Sequence, residues 1–312
     1  MKKSALFTRL ITAAFFTSLV MIACKKEKSD SLSPNEEEQI ANYSSQSETE
    51  NEVVFNDVFD NVMGVNTEVG LGGTGVFGRV ASTANGREDG VDSIPTCVQV
   101  SITLLNAPAR FPMKIVIDFG AGCVGRDGHT RAGKIITEYS GKLTEPGNSA
   151  TTRFDGFKFD SISVQGTHKI TNTTGVGGTS NNQRQFTINI TDAKLSKPNG
   201  NYSLWSSTKV ITQTEGNGTP LYPLDDIFKV TGSSHGQIKY GNLVYTWRSE
   251  IIEPLIKKFT CHWISKGIIK VRREALATNS QWVATLDYGT GDCDFLATLT
   301  INGASHQIQL PH

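Results

Sequence analysis

The sequence predicts an all-β fold, an antiparallel meander of about a dozen strands with one N-terminal helix. From Cys97 onward, short runs alternate between apolar and polar residues, which is the pattern of strands with one buried face. Asp-Gly and Asn-Gly pairs separate several of the runs and supply the positive φ angles of tight hairpins. Strands that follow each other in the chain should therefore be neighbours in the sheet. Three arrangements remain open: a sandwich, a barrel-like sheet and a large twisted sheet.

The first strand is predicted around 98–104, where Val98, Val100, Ile102 and Leu104 share one face. The turn pairs are Asp127-Gly128, Asp155-Gly156, Asn199-Gly200 and Asn302-Gly303. The later strands are predicted at 115–119, 130–139, 153–159, 162–170, 186–195, 202–211, 237–247, 259–271, 282–288, 297–301 and 308–310.

A helix of about four turns is predicted before the strands, because six apolar residues form one helical stripe. Ser47 and Glu50 have capping-box spacing, and Gly64 is typical of a helix end. We expect its apolar face to pack on the β domain, the alternative being a partner surface. The residues of the stripe are Val54, Phe55, Val58, Phe59, Val62 and Met63.

The N-terminus predicts an export signal. Lys2, Lys3 and Arg9 precede or border an apolar run that ends at Ala23-Cys24, and the run is too short to cross a bilayer of about 30 Å. The segment resembles the lipobox of bacterial lipoproteins, with Met21 where that motif usually has leucine. The resemblance implies that Cys24 carries acyl chains such as palmitate and anchors the chain to the outer membrane, on its periplasmic or cell-surface face. The alternative is an ordinary secreted protein in which Cys24 is incidental.

Four segments follow from these patterns: a signal peptide at 1–23, a disordered tether at 24–46, a helix and Gly-rich loop at 47–96, and the β domain at 97–312. The 30 basic and 30 acidic residues balance, and loss of the signal leaves a net charge of −3. Because phosphate binding calls for a basic patch or stripe, nucleic acid is excluded as a partner. The 38% hydrophobic content together with 30 glycines indicates a globular chain.

The β domain contains a repeated module at its two ends. Residues 117–123 and 286–293 each read apolar-Asp-aromatic-Gly-x-Gly followed by cysteine, and each has one cysteine upstream. Four cysteines allow three pairings. A module repeated with both its cysteines favours the disulfides Cys97–Cys123 and Cys261–Cys293, the expected state in an oxidising envelope compartment.

This arrangement resembles a set of uncharacterised lipoproteins of Gram-negative bacteria. In them a lipobox and polar tether precede a β domain with a strand ending in Asp-Phe-Gly-x-Gly-Cys, and the following residues 126–135 are similar too. The resemblance implies no activity.

Within the modules, Asp118 and Asp287 are expected to face away from the core and to accept hydrogen bonds from the following glycine turn. They are therefore interpreted as structural residues. An alternative is a calcium site formed by Asp118 with Asp127, or by Asp287 with Asp292 and Asp294.

Cys261-His262 and Asp127 with His129 are metal-ligand types, but no C-x-x-C or H-x-x-x-H spacing supports a zinc site. A strand at 259–271 would also turn His262 away from Cys261. We therefore expect no metal ligands and no cofactor.

Two other segments match the residue pattern of a known motif but lack the structural context that the motif requires. Residues 70–75 spell the dinucleotide pattern without a preceding strand, and Asp118-Phe119-Gly120 spells a kinase motif without its partners. No nucleophile elbow is present, so catalytic residues are not assigned and an enzymatic role is uncertain and disfavoured. The tryptophans are expected in the core rather than on a sugar-stacking surface. They are Trp205, Trp247, Trp263 and Trp282.

The sequence therefore favours a membrane-anchored extracytoplasmic protein with a non-enzymatic binding or envelope-structural role, its ligand a glycan or an envelope protein. The alternative is a surface hydrolase acting on glycans. The oligomeric state is left open.

Overall fold

The computed structural model describes residues 34–77, 95–176, 183–219, 222–274 and 283–310. The signal segment with Cys24, residues 78–94 of the Gly-rich loop, and Trp282 lie outside these ranges. Within them the chain forms one long α-helix and fourteen strands. Short 3-10 helices occur at Gly75–Phe77 and Pro223–Asp225.

The helix is α1 (Pro34–Gly64). The strands are β1 (Gln99–Leu104), β2 (Met113–Asp118), β3 (Cys123–Val124), β4 (Thr130–Tyr139), β5 (Ser149–Phe159), β6 (Ile162–Asn172), β7 (Gln185–Ser196), β8 (Tyr202–Glu215), β9 (Ile227–Tyr240), β10 (Leu243–Lys258), β11 (Lys266–Arg273), β12 (Val283–Thr290), β13 (Leu296–Ile301) and β14 (Ala304–Gln309).

All fourteen strands belong to one antiparallel sheet in meander order. The two-residue strand β3 pairs only with β4 and lies off the main path. In the described chain β1 and β14 are the two edges and do not pair with each other. The predicted meander is therefore confirmed, and of the three arrangements the molecule adopts the single large sheet.

Two predicted strands differ from the observed ones. The run 237–247 is not one strand but the hairpin between β9 and β10, which turns at Gly241 with φ of 58°. The glycine makes this turn possible because other residues rarely adopt that angle. The run 259–271 is also wrong at its start, because residues 259–265 form a loop and β11 begins at Lys266.

The predicted buried face of the first strand is also wrong in part. Ile102 and Leu104 remain 49% and 41% exposed, whereas Val98 is buried. β1 is an edge strand with a partner on one side only, so alternation predicted the strand but not a neighbour to cover it.

Helix α1 begins at Pro34, not after Ser47, so residues 34–46 that were predicted as part of the tether are helical. Proline suits a first helical position, and acidic residues in the first turn favour the helix dipole. Tertiary contacts also stabilise these first turns, because Ile40 is buried and the ring of Tyr43 stacks on Tyr240 with 3.6 Å between the ring centroids. Ser47 lies buried inside the helix rather than at its cap.

The apolar stripe of α1 is buried as predicted and joins the core of the sheet. At the helix end, the Gly-rich segment 70–75 folds back on the last carbonyls. The amides of Leu71 and Gly72 donate to Met63 O at 2.8 and 3.0 Å, and Gly73 N donates to Gly64 O at 3.0 Å. This segment therefore caps a helix rather than binding a dinucleotide.

The register places two contrasting rows of side chains across the sheet. On the outer face one continuous row is polar in all thirteen strands of the main path: Thr103, Lys114, Glu138, Thr151, Lys169, Asn189, Thr208, Ser233, Glu250, Lys270, Thr285, Thr300 and Ser305. On the inner face the adjacent row has small polar residues and a histidine at its centre, including Thr152, His168, Ser207, Ser234 and Ser249. The inner centre therefore faces α1 with hydrogen-bonding groups.

Both repeated modules have the predicted structure. Asp118 Oδ1 accepts from Gly120 N, and Asp287 Oδ1 accepts from Gly289 N, each at 2.8 Å. The aromatic residues that follow, Phe119 and Tyr288, are buried. The disulfides Cys97–Cys123 and Cys261–Cys293 are both formed, which confirms the pairing predicted from the repeat.

Candidate functional site

Three metal-ligand side chains meet where the first module approaches the loop between β10 and β11. Asp127 and His129 come from the turn between β3 and β4, and His262 comes from the loop beside Cys261. One ligand atom from each residue lies within 4.8 Å of the others. In the described chain this is the one group of three such residues with that spacing. We call these three side chains the His/Asp cluster.

The sequence alone did not predict this cluster, and the reason is local. Residues 259–271 were predicted as a strand, in which His262 would point away from Cys261. Because 259–265 is a loop, strand alternation does not apply there. The disulfide from Cys261 to Cys293 holds the loop at the end of β12. The ligand types at 127, 129 and 262 were the available signal, but only the fold brings them together.

His129 is held in one orientation. Its side chain is buried, and Nδ1 lies 2.9 Å from Asp160 Oδ2. Asp160 is itself fixed, since its Oδ1 accepts from Thr130 N at 2.9 Å. When Nδ1 carries the proton, it donates to Asp160 and leaves Nε2 with a free lone pair.

His262 packs against the same ring. The ring centroids of His129 and His262 are 4.6 Å apart, and His262 Nδ1 lies 4.0 Å from Asp127 Oδ2. Its Nε2 is buried and has no hydrogen-bond partner among the described residues. Burial lowers the pKa of His262 to about 4, so the imidazole is neutral at neutral pH.

A buried arginine joins the cluster to the helix. Arg131 donates to both oxygens of Asp57 on α1, at 2.5 and 3.0 Å, and to both oxygens of Asp127, at 2.5 and 3.1 Å. Burial opposes its charge, but the two carboxylates outweigh burial and raise the pKa of Arg131 above its usual value. Burial raises the pKa of Asp127, yet Arg131 outweighs it and leaves that pKa lowered.

The formal charge of this region is negative. With the two imidazoles left out of the count, Arg131 contributes one positive charge, whereas Asp57, Asp127 and Asp160 contribute three negative charges. The nearby Asp60 is paired with Lys257 at 2.8 Å and adds no net charge. The cluster therefore has two negative charges that its own cation does not balance.

Helix α1 carries further buried acids that the sequence analysis missed. Glu48 accepts hydrogen bonds from the indoles of Trp205 and Trp247 at 3.0 and 3.1 Å, and from the hydroxyls of Ser234 and Ser249. Both tryptophans are buried, which confirms the core assignment for these two. Trp263 lies in the loop after β10 rather than in a strand.

Two other acids of α1 pair with lysines of the sheet. Glu52 pairs with Lys209, and Asp60 pairs with Lys257. Burial raises the pKa of Asp60 to about 6, against the opposing effect of Lys257. At 3.6 residues per turn, Glu48 and Asp57 lie on opposite sides of α1, so the sequence showed no single acidic face. The partners of these acids come from distant strands.

The outer face holds a separate cavity of about 750 Å³ over β9, β10 and β11. Arg248 lies in register with His235 on β9 and Arg272 on β11. The next row along the strands is Ser233, Glu250 and Lys270. Beside the cavity, the pairing of β9 with β10 is interrupted between Glu250 and Leu255, where Pro254 has no amide to donate.

The charges of this outer groove are only partly paired with each other. Arg248 donates to Glu274 Oε1 through Nε at 2.8 Å and lies 2.6 Å from it through Nη2. Counting Arg248, Lys270 and Arg272 against Glu250 and Glu274, the groove has one positive charge in excess. A ligand that contributes anionic groups would fit this charge.

The acids proposed as calcium ligands have other partners. Asp118 lies 3.4 Å from Lys134, while Asp127 binds Arg131. Asp287, Asp292 and Asp294 line a shallow cavity of about 180 Å³, but Asp287 and Asp294 each accept a backbone amide nearby. These contacts support the structural interpretation of the module aspartates.

No protein-family model, curated protein or solved structure matches this chain. In the described ranges, no helix has both the length and the apolar character needed to cross a membrane.

Proposed function

We propose that this protein is a lipid-anchored extracytoplasmic protein that binds a ligand without catalysing a reaction. Cys24 would attach it to the outer membrane, and the outer groove over β9 to β11 would hold the ligand. The observation that carries the binding role is the division between the two faces of the sheet. The inner face is occupied by α1, whereas the outer face presents polar side chains and a cavity of ligand size.

The cysteines support the anchor. The chain has five cysteines, and four of them form two disulfides. Disulfides persist in oxidising compartments such as the bacterial envelope. The remaining cysteine is Cys24, at the cleavage point of the lipobox-like segment. An odd cysteine at that position is what an acylated N-terminus requires.

The ligand class follows from the groove. Arg248 and Arg272 are neighbours in one row, and arginine binds planar carboxylates and phosphates through paired hydrogen bonds. The chain without its signal has a net charge of −3, so a positive excess at the groove is a local feature. We therefore favour an anionic envelope polysaccharide as the ligand.

The anchor is tested by labelling cells with an alkyne fatty acid. The wild-type protein should take up the label and sediment with membranes, because several acyl chains give stable anchoring where one is marginal. Cys24→Ser should lose both properties. Equal labelling of the two proteins would show that Cys24 is not the acylation site.

The groove is tested with the soluble Cys24→Ser protein and polygalacturonate as the anionic probe. Arg248→Ala combined with Arg272→Ala should weaken binding at least tenfold, while Arg153→Ala on the exposed part of β5 serves as the matched control. Neutral dextran should not bind. Unchanged affinity in the double variant, or absence of binding by the parent protein, would refute the groove as an anionic-glycan site.

A further inference from the structure

We propose that Asp127, His129 and His262 bind one divalent transition-metal cation of the zinc class. This inference is independent of the proposed ligand-binding function, since it concerns a different part of the molecule. It rests on the geometry of the three ligand atoms, on the orientation of His129 and on the charge of the surroundings.

The ligand atoms are almost at coordinating distance from a common centre. Zinc binds imidazole nitrogen and carboxylate oxygen at about 2.0–2.2 Å, so atoms around one ion lie roughly 3–4 Å apart. The atoms of the His/Asp cluster lie within 4.8 Å of one another. A bound ion requires these separations to shorten by roughly 1 Å, and His262, whose ring is not fixed by a hydrogen bond, is the ligand free to turn.

His129 is oriented as a metal ligand. Metal-binding histidines usually donate their second ring N–H to a carboxylate or carbonyl, which fixes the tautomer and the ring. Asp160 provides such a carboxylate at 2.9 Å from Nδ1. This leaves Nε2 of His129 as the coordinating atom.

His262 is not held by the contacts that fix His129. It comes from a loop fixed by a disulfide, and its side chain is 19% exposed. Apart from its approach to Asp127 at 4.0 Å, no hydrogen bond determines its ring orientation in the described structure. The ring is therefore able to turn one nitrogen toward a cation.

Arg131 does not prevent coordination by Asp127. Each carboxylate oxygen has two lone pairs, so one oxygen can accept from the guanidinium and bind a metal as well. The pairing instead holds the carboxylate in place. The three aspartates and Arg131 together have a formal charge of −2. A divalent cation would balance this charge.

The ligand types select the metal. Two imidazoles and one carboxylate suit Zn²⁺, Co²⁺, Ni²⁺ and Cu²⁺, whereas Ca²⁺ and Mg²⁺ prefer sites made only of oxygen ligands. Three protein ligands leave at least one position for water or for a group from a bound molecule. The competing interpretation is a metal-free ion-pair network centred on Arg131.

The test is calorimetric titration of the untagged, metal-free full chain with Zn²⁺, with Co²⁺ absorption as the spectroscopic readout. We expect one saturable Zn²⁺ per chain and visible Co²⁺ bands of a nitrogen- and oxygen-bound ion. His129→Gln and His262→Gln should each weaken binding at least tenfold, and Asp160→Asn should weaken it about 10- to 100-fold through the orientation of His129. His235→Gln and His306→Gln are the matched controls and should bind like the wild type.

Folding of each variant is checked by its melting curve. As a measurement that needs no variant, Zn²⁺ should protect His262 of the wild-type chain from modification by diethylpyrocarbonate, while the exposed His306 stays reactive. Three results would overturn the proposal. They are absence of saturable Zn²⁺ binding, wild-type Zn²⁺ affinity in the His129→Gln and His262→Gln variants, and displacement of Co²⁺ by equimolar Ca²⁺.

Discussion

The two cysteine modules share one local structure but differ in what surrounds them. In each, an aspartate accepts the amide two residues later, the next aromatic is buried, and a disulfide fixes the following cysteine. After Cys123 the chain forms a turn with Asp127 and His129 before Arg131. After Cys293 it passes directly to β13. The repeated residues build the fold, and the residues between them carry the candidate chemistry.

The modules also differ in their connection to the helix. The first is tied to α1 through the pair of Arg131 with Asp57, both buried. The second contributes His262, beside Cys261, to the same cluster. The disulfide of one module thus positions a side chain next to the turn of the other. Similar modules can therefore have unequal roles, and variants can separate them.

The largest expected effect is at Arg131. Arg131→Met leaves Asp57 buried without its cation and should lower the free energy of unfolding by about 3–5 kcal/mol. Lys134→Met, which removes the half-exposed partner of Asp118, should change it by less than about 1 kcal/mol. Urea denaturation measures both. A loss below about 1 kcal/mol in Arg131→Met would show that the buried pair of Arg131 with Asp57 contributes no more than the half-exposed pair of Lys134 with Asp118.

An intermediate, acid-dependent effect is expected at His168 in β6, outside both modules. Burial lowers its pKa to about 3, and neither ring nitrogen has a hydrogen-bond partner in the described structure. As pH falls below about 6.5, His168 is protonated in the unfolded state but stays neutral in the folded state. The free energy of unfolding therefore decreases from pH 6.5 toward pH 3.

His168→Leu should remove this part of the acid dependence, worth about 3 kcal/mol at pH 4. Above pH 7 its contribution disappears. Melting temperatures measured from pH 4 to 8 distinguish the variants. If His168→Leu kept the acid slope of the wild type, the acid sensitivity would have to come from the modules or from the paired carboxylates.

The smallest effect is expected at the module aspartates themselves. Asp118→Ala and Asp287→Ala should each cost about 1 kcal/mol, because each loses one turn hydrogen bond. Asp118→Asn and Asp287→Asn keep an acceptor oxygen and should be nearly neutral. Thermal melts with and without Ca²⁺ measure the effects. A Ca²⁺-dependent rise in melting temperature that disappears in either asparagine variant would contradict the structural role.

Sequence alone predicted the features that depend on local pattern. Alternation and turn pairs predicted the meander, the repeat predicted the two disulfides, and the polarity of Asp118 and Asp287 predicted their turn hydrogen bonds. These succeed because strand alternation, glycine turns and Asx hydrogen bonds are determined within a few residues.

Local sequence pattern gave wrong predictions where contacts with distant residues stabilise the structure. The helix begins at Pro34 because its first turns pack on the sheet, as Tyr43 does on Tyr240, although the composition of 34–46 predicted a tether. The hairpin at Gly241 was missed because only Asp-Gly and Asn-Gly pairs were interpreted as turns, whereas its two turn residues are Gly241-Asn242.

The candidate site was decided by tertiary structure. Asp127 and His129 are close in sequence, but His262 is more than a hundred residues away, and only the loop after β10 and the disulfide at Cys261 bring it to them. The same holds for Asp57 with Arg131 and for Glu48 with two tryptophans. Sequence supplies the ionisable groups, whereas their burial, pairing and pKa values depend on which strand the fold places opposite each one.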